Sequence, residues 1–190
     1  MRLHQYSFVH AILLTVTLGV CAASPVAAQT ETFTATASVK ASTGQSASSQ
    51  LTVMIQHYAT TAERDELVGA VKTGGNTAAQ AVLAKRADAG MLQLGTQIAK
   101  VKHAFVRSMG AGRLITLVTS EPIAFIGGNQ PNAPAKAGNE VGLVMLTLPG
   151  SGAGSGEMVP AATVRVDEQG AIVTKDYSGE TVSLTGVTKK

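Results

Sequence analysis

Two histidines, His57 and His103, are the side chains beyond residue 28 best suited to move a proton or to hold a metal. Each lies in a run that reads as a strand, sharing parity with Val53 and Ile55 in one case and with Val101 and Phe105 in the other. Were the two strands to meet, the imidazoles would converge at a sheet rim as an acid–base or metal pair. A zinc site needs further ligands, and no H-x-x-x-H or comparable spacing supplies them. Half-buried packing is the plainer role for both. Arg107 and Arg113 flank Gly110-Ala111-Gly112, so a hairpin there would set them facing each other, as an anion grip or as solvated turn-flanking charges.

The remaining polar groups are explained without chemistry. Glu63-Arg64-Asp65-Glu66 suits the start of a helix, and Asp167-Glu168 suits a turn. Pro149 to Gly156 is glycine-rich, but no Lys-Ser/Thr and no helix follows it, and its spacing is not that of a dinucleotide fingerprint. Ser155 is not framed as a nucleophile elbow. The segment reads as a flexible connection between strands. No catalytic, cofactor-binding or metal-ligating set is assigned, and His57, His103, Arg107 and Arg113 stand only as weak candidates.

The elements that must position these residues follow from periodicity. Glu31–Val39 and Leu51–His57 alternate as strands, with Ala41–Ser49 as a small-residue connection. Thr60-Thr61-Ala62-Glu63 is a capping box that opens a helix near 61–73, with Leu67, Val68 and Val71 as its apolar stripe. Gly74-Gly75 ends it, and Asn76 caps a second helix near 77–86 with Ala78, Ala81 and Val82 inward. Further strands are expected at 91–94, 98–107, 113–119, 123–126, 141–148, 162–166, 171–175 and 180–187, with Pro122 opening an edge strand and 129–139 a polar loop. Close turns between short strands imply antiparallel pairing. The fold class is α+β: a mainly antiparallel sheet, rolled or in a sandwich, with one early helical hairpin packed against it.

The first 28 residues have the three parts of a secretory signal peptide: Arg2, an apolar run from Phe8 to Ala23, and Val26-Ala27-Ala28 before Gln29. The uninterrupted core, Ala11–Ala23, spans roughly 20 Å against roughly 30 Å of hydrocarbon, too short for a good anchor. Lipid attachment at Cys21 is disfavoured because Val20 precedes it. Cleavage after Ala28 leaves residues 29–190 as one domain, exported to the periplasm or beyond the cell, with no later membrane span. Cys21 is the chain's one cysteine, so the processed domain has no thiol and no disulfide. Its positive charges are scattered, and aromatics make up 4% of the chain, which argues against a nucleic-acid groove.

Gly112 to Phe125, Gly156-Glu-Met-Val-Pro-Ala-Ala162, Ala171 to Tyr177 and Thr60 to Leu67 together resemble a group of small exported bacterial proteins of uncharacterised activity. The resemblance implies an exported single domain and carries over no site residue. The leading expectation is a non-enzymatic secreted or periplasmic domain without a cofactor, its partner unknown. The alternatives are a small-molecule or lipid carrier, with its ligand between sheet and helices, and an enzyme using dispersed carboxylates or His57 and His103. A polar cleft holding both histidines and a carboxylate would favour the enzyme.

Overall fold

The computed structural model describes residues 30–40, 44, 46–123, 141–178 and 181–190. The period-2 segments become nine strands: β1 (Glu31–Lys40), β2 (Ser46–Ile55), β3 (Gly90–Leu94), β4 (Gln97–Met109), β5 (Gly112–Thr119), β6 (Val141–Leu148), β7 (Gly154–Val166), β8 (Ile172–Ser178) and β9 (Val182–Lys189). Every ladder is antiparallel. The order is β6-β5-β4-β3-β2-β1-β9-β7-β8, and β6 also pairs with β7. The rolled sheet is therefore a closed eight-stranded barrel, with β8 appended to the far half of β7. An eight-stranded barrel is just wide enough for side chains to fill it. Phe33, Leu51, Val53, Ile55, Leu92, Ile115, Leu117, Val144, Leu146, Met158 and Leu184 do so, each almost wholly buried.

Two stretches expected to be connections are strand. Ser46–Gln50 extend β2, with Lys40 opposite Ser46. β3 pairs only with Leu51–Ile55, so this extension has one neighbour, and small polar residues are tolerated there. The glycine-rich segment enters β7 at Gly154, eight residues earlier than expected. A Cβ on Gly154 would lie 2.4 Å from the Thr147 carbonyl oxygen, and one on Gly156 would lie 2.3 Å from that of Met145. Glycine is needed there because β7 presses against β6 as the barrel closes. Ile123 is not in a strand; it is buried among the lumen residues, and its N–H donates to the Pro160 carbonyl at 2.8 Å. The expected strand over 124–126 and the loop 129–139 lie outside the described residues.

The helical region is two helical arms that meet at a kink. A single element, α1 (Thr61–Ala84), is interrupted at Gly75, whose φ of 59° and ψ of −146° are open to glycine. Helical hydrogen bonding resumes at once, without a loop. A straight helix of this length would hold its ends about 35 Å apart, yet the guanidinium of Arg86, just past the C-cap, lies 2.8 Å from the carboxylate of Glu66. The capping box is present: the Glu63 N–H donates to Thr60 Oγ1 at 3.2 Å, and the Thr60 N–H donates to Glu63 Oε2 at 2.7 Å. Leu67, Val68 and Val71 pack as expected, but in the second arm Ala79 and Leu83 are the buried residues, while Ala81 is exposed. Together they cover Val118, Val141, Leu143, Val164 and Ile172 on the outside of the barrel. Asn76, expected as a helix cap, reaches across to β7. Its Nδ2 donates to the Ala162 carbonyl at 2.9 Å, and its Oδ1 accepts from the Val164 N–H at 2.8 Å, which satisfies the backbone of β7 where β6 runs out. Among the described residues, no helix is long and apolar enough to cross a membrane.

Candidate functional site

His103 lies on β4 beside a bulge. Val101 pairs with Thr119, but His103 pairs with Val118, so one residue is gained in the register. The expected parity of Val101, His103 and Phe105 is therefore broken: Val101 and Ala104 face the lumen, while His103 and Phe105 face outward beneath α1. His57 is also displaced from its expected place. β2 ends at Ile55, and His57 lies half-buried in the crossing segment, its N–H donating to the Ala89 carbonyl at 3.3 Å.

The two histidines nonetheless come together. Both line a cleft of about 290 Å³ between the two ends of α1 and the barrel, along with Glu63, Lys85, Arg86 and Lys102. This is the polar cleft with two histidines and a carboxylate that the enzyme alternative calls for. The hydrogen bonds decide what its groups can do. His103 is 2% exposed, and its Nδ1 lies 2.9 Å from Nη1 of Arg86. A guanidinium can only donate, so Nδ1 accepts and the ring proton sits on Nε2. Burial, reinforced by the Arg86 charge and only partly opposed by Glu63, pushes the imidazole down to about 4. Arg86 also donates through Nη2 to the Glu63 carbonyl and to the Glu66 carboxylate, which ties both arms of α1 to β4. The Glu63 side chain is turned back on Thr60, whose N–H and hydroxyl both donate to Oε2 and hold the carboxyl below its usual range. Lys102 reaches the Arg86 carbonyl at 3.1 Å and Asp88 at 2.6 Å. At neutral pH His103 is thus a neutral imidazole whose free electron pair is taken, and Glu63 is a carboxylate already spent as a cap.

Arg107 and Arg113 do not face each other. The β4–β5 register sets Arg107 against Leu114 and Arg113 against Ser108, on opposite faces of the sheet. Arg107 points outward and, with His103, Phe105, Arg64 and Ile172, lines a gap of about 30 Å³ under α1, room for a single water. Arg64 closes it, stacking over the Phe105 ring at 5.3 Å and donating to the Gly170 carbonyl at 2.7 Å. That gap is too small for a carrier's ligand.

Arg113 points into the barrel mouth. It packs 5.4 Å over the Phe33 ring and donates to both carboxylate oxygens of Glu31, at 3.1 and 3.2 Å, from a strand that is not a neighbour of β1. Lys189 adds a contact to Glu31 at 2.7 Å, and the Tyr58 hydroxyl donates to it as well. Burial alone would raise the Glu31 carboxyl, but the hydrogen bonds from Lys189, Tyr58 and Arg113 outweigh it and hold the group below the usual range. Burial and the Glu31 carboxylate both raise the Tyr58 phenol. Neither residue is tuned to exchange a proton near neutral pH; the cluster plugs the lumen. Because Arg113→Leu leaves Glu31, 13% exposed, without its cross-barrel partner, it should cost about 1–3 kcal/mol in urea unfolding. Lys189→Ala at the exposed partner should cost under about 1. Equal, negligible losses would show that the tie contributes nothing.

Arg86, Glu31, Tyr58 and Lys189 were not singled out by sequence. Glu31 alone carried a usable signal: it shares parity with Phe33, Ala35 and Ala37, which placed a carboxylate on the apolar face of its strand. Among the described residues, no group of three or more His, Cys, Asp or Glu side chains is arranged to hold a metal. The chain matches no known family model, no curated protein and no solved structure.

Proposed function

We propose that this chain is a non-enzymatic exported domain: a filled barrel, clasped on one side by a helical hairpin, that acts by binding. The hairpin reading rests on the fold-back of α1 at Gly75 and on Arg86, which joins its last residues to its first turn. Export rests on the three-part pattern over residues 1–28, and on the resemblance to small exported bacterial proteins. The observation that carries the non-enzymatic reading is the bond from Arg86 to His103 Nδ1. It occupies the one atom through which the His103 ring would accept a proton, and the carboxylate that lines the cleft, Glu63, is committed to the helix cap. The enzyme reading keeps one supporting observation, the presence of His57, His103 and Glu63 around a single cleft.

Protein exported from its host should have an intact mass that starts at Gln29; an unprocessed Met1 or a lipidated Cys21 would defeat that assignment. The same material, offered chromogenic esters, phosphomonoesters and glycosides, should give no turnover. A rate that is abolished by both His57→Ala and His103→Gln, with the fold intact by circular dichroism, would overturn the non-enzymatic reading.

A further inference from the structure

The cleft that holds the two histidines has an excess of donors that structural bonds do not absorb. Its lining cations are Lys85, Arg86 and Lys102, and its one lining carboxylate, Glu63, is turned back on Thr60. Glu66 pairs with Arg86 and Asp88 with Lys102, which holds two of the cations in place and offsets their charge. Among the described residues, Lys85 makes no ion pair. His57 adds an imidazole to the wall. Both ends of α1 meet at this place and their opposite partial charges offset each other; Glu63, Glu66 and Asp88 balance the charges of Lys85, Arg86 and Lys102, so an anion would be held by N–H donors rather than by net charge. At about 290 Å³ the cleft admits a small ion or the end group of a larger molecule, and is too polar for an acyl chain.

We propose that this cleft binds a small oxyanion, a phosphate or carboxylate group, with Lys85 and His57 as its mobile contacts and Arg86 and Lys102 as its fixed ones. Phosphate and carboxylate ask the same of the site: several N–H donors converging on a few oxygens, at least two of them charged. The proposal deepens the non-enzymatic reading, and rests on it for the claim that the cleft holds its ligand unchanged. Bracing matters here, because a cation already ordered by Glu66 or Asp88 loses little freedom when the anion arrives.

The test is a titration of the full processed domain with inorganic phosphate, at constant ionic strength set by sodium chloride, followed by backbone amide NMR. Parallel arms use glycerol phosphate and acetate, which separate a phosphoryl preference from a carboxylate preference. The amides of Ala87 and Ala89, which line the cleft, should shift saturably with a Kd below roughly 5 mM in at least one arm. Lys85→Gln and His57→Gln, at positions outside the core, should each weaken that binding several-fold, and together about tenfold, whereas Lys72→Gln on the same helix should not. Shifts that track ionic strength alone, or that survive the double substitution, would overturn the proposal. Saturable binding of glycerol phosphate followed by release of free phosphate would instead leave the site standing and overturn the non-enzymatic reading.

Discussion

Lowering the pH from 7 to 4 is expected to cost the folded chain about 3 kcal/mol at His103 alone. The imidazole is pushed down to about 4 in the folded state, from an ordinary value of 6.5. Between those values the unfolded chain binds a proton that the folded chain refuses. The stabilisation is therefore complete above about 6.5, and it is lost as the pH falls towards 4. The physical reason is local: a protonated His103 would face Arg86 across 2.9 Å with no electron pair to accept its hydrogen bond. Arg86 would have to withdraw, releasing the Glu63 carbonyl and loosening both arms of α1. The carboxyls of Glu31, Glu63 and Asp88, all held low, extend the loss in the same direction further into acid. Urea midpoints measured at half-unit steps should fall along this limb, and His103→Gln should flatten it between 6.5 and 4. A wild-type profile flat over that range would mean that the imidazole is not buried as described.

The second large effect belongs to the helix. Leu67 is 1% exposed and Leu83 is fully buried, both against the outer barrel residues Val118, Leu143 and Val164. Either residue changed to alanine should cost about 2–5 kcal/mol, because the lost burial is compounded by a cavity that the barrel wall is too stiff to collapse. Lys72→Ala, on the exposed side of the same helix, should stay within about 0.5. Native-state hydrogen exchange adds a discriminating readout. If α1 docks as an independent unit, Leu83→Ala should speed exchange in α1 and leave β1 and β2 protected. Equal, small losses from all three substitutions would mean that the helix contributes little to the fold.

What the sequence made legible was whatever depended on local periodicity. Alternation in Glu31–Val39 and Leu51–Ile55 located β1 and the paired half of β2, and Thr60 to Glu63 located the helix start to the residue. Gly110 and Gly170, at φ of +60° and +74°, occupy the turns expected of them. What was not legible depended on non-local geometry. Barrel closure is set by β6 finding β7, and the glycines that permit it look like a loop when read alone. The bulge between Val101 and His103 leaves no mark in composition, yet it decides which face the histidine takes. In the second helical arm Val82 packs inward as expected, but Ala79 and Leu83 are the deepest positions and Ala81 is exposed, because Ala78, Ala79, Ala81 and Val82 give a periodicity too weak to choose between neighbouring faces. The candidate site was legible as a list of residue types. Its partners were not: Arg86 reaches both His103 and Glu66, at the opposite end of α1, across the kink at Gly75.

His103 and Glu63, the buried imidazole of the cleft and its lining carboxylate, are spent on structure. The measurement that tests this most directly is a pH titration of the His103 ring by long-range proton–nitrogen NMR on the intact domain. The ring should be neutral at pH 7, carry its proton on Nε2 and titrate with a midpoint near 4. A ring that titrates near 6.5, or that carries its neutral-state proton on Nδ1, would contradict this, because Arg86 could not then be donating to that nitrogen and His103 would be free to act as a base.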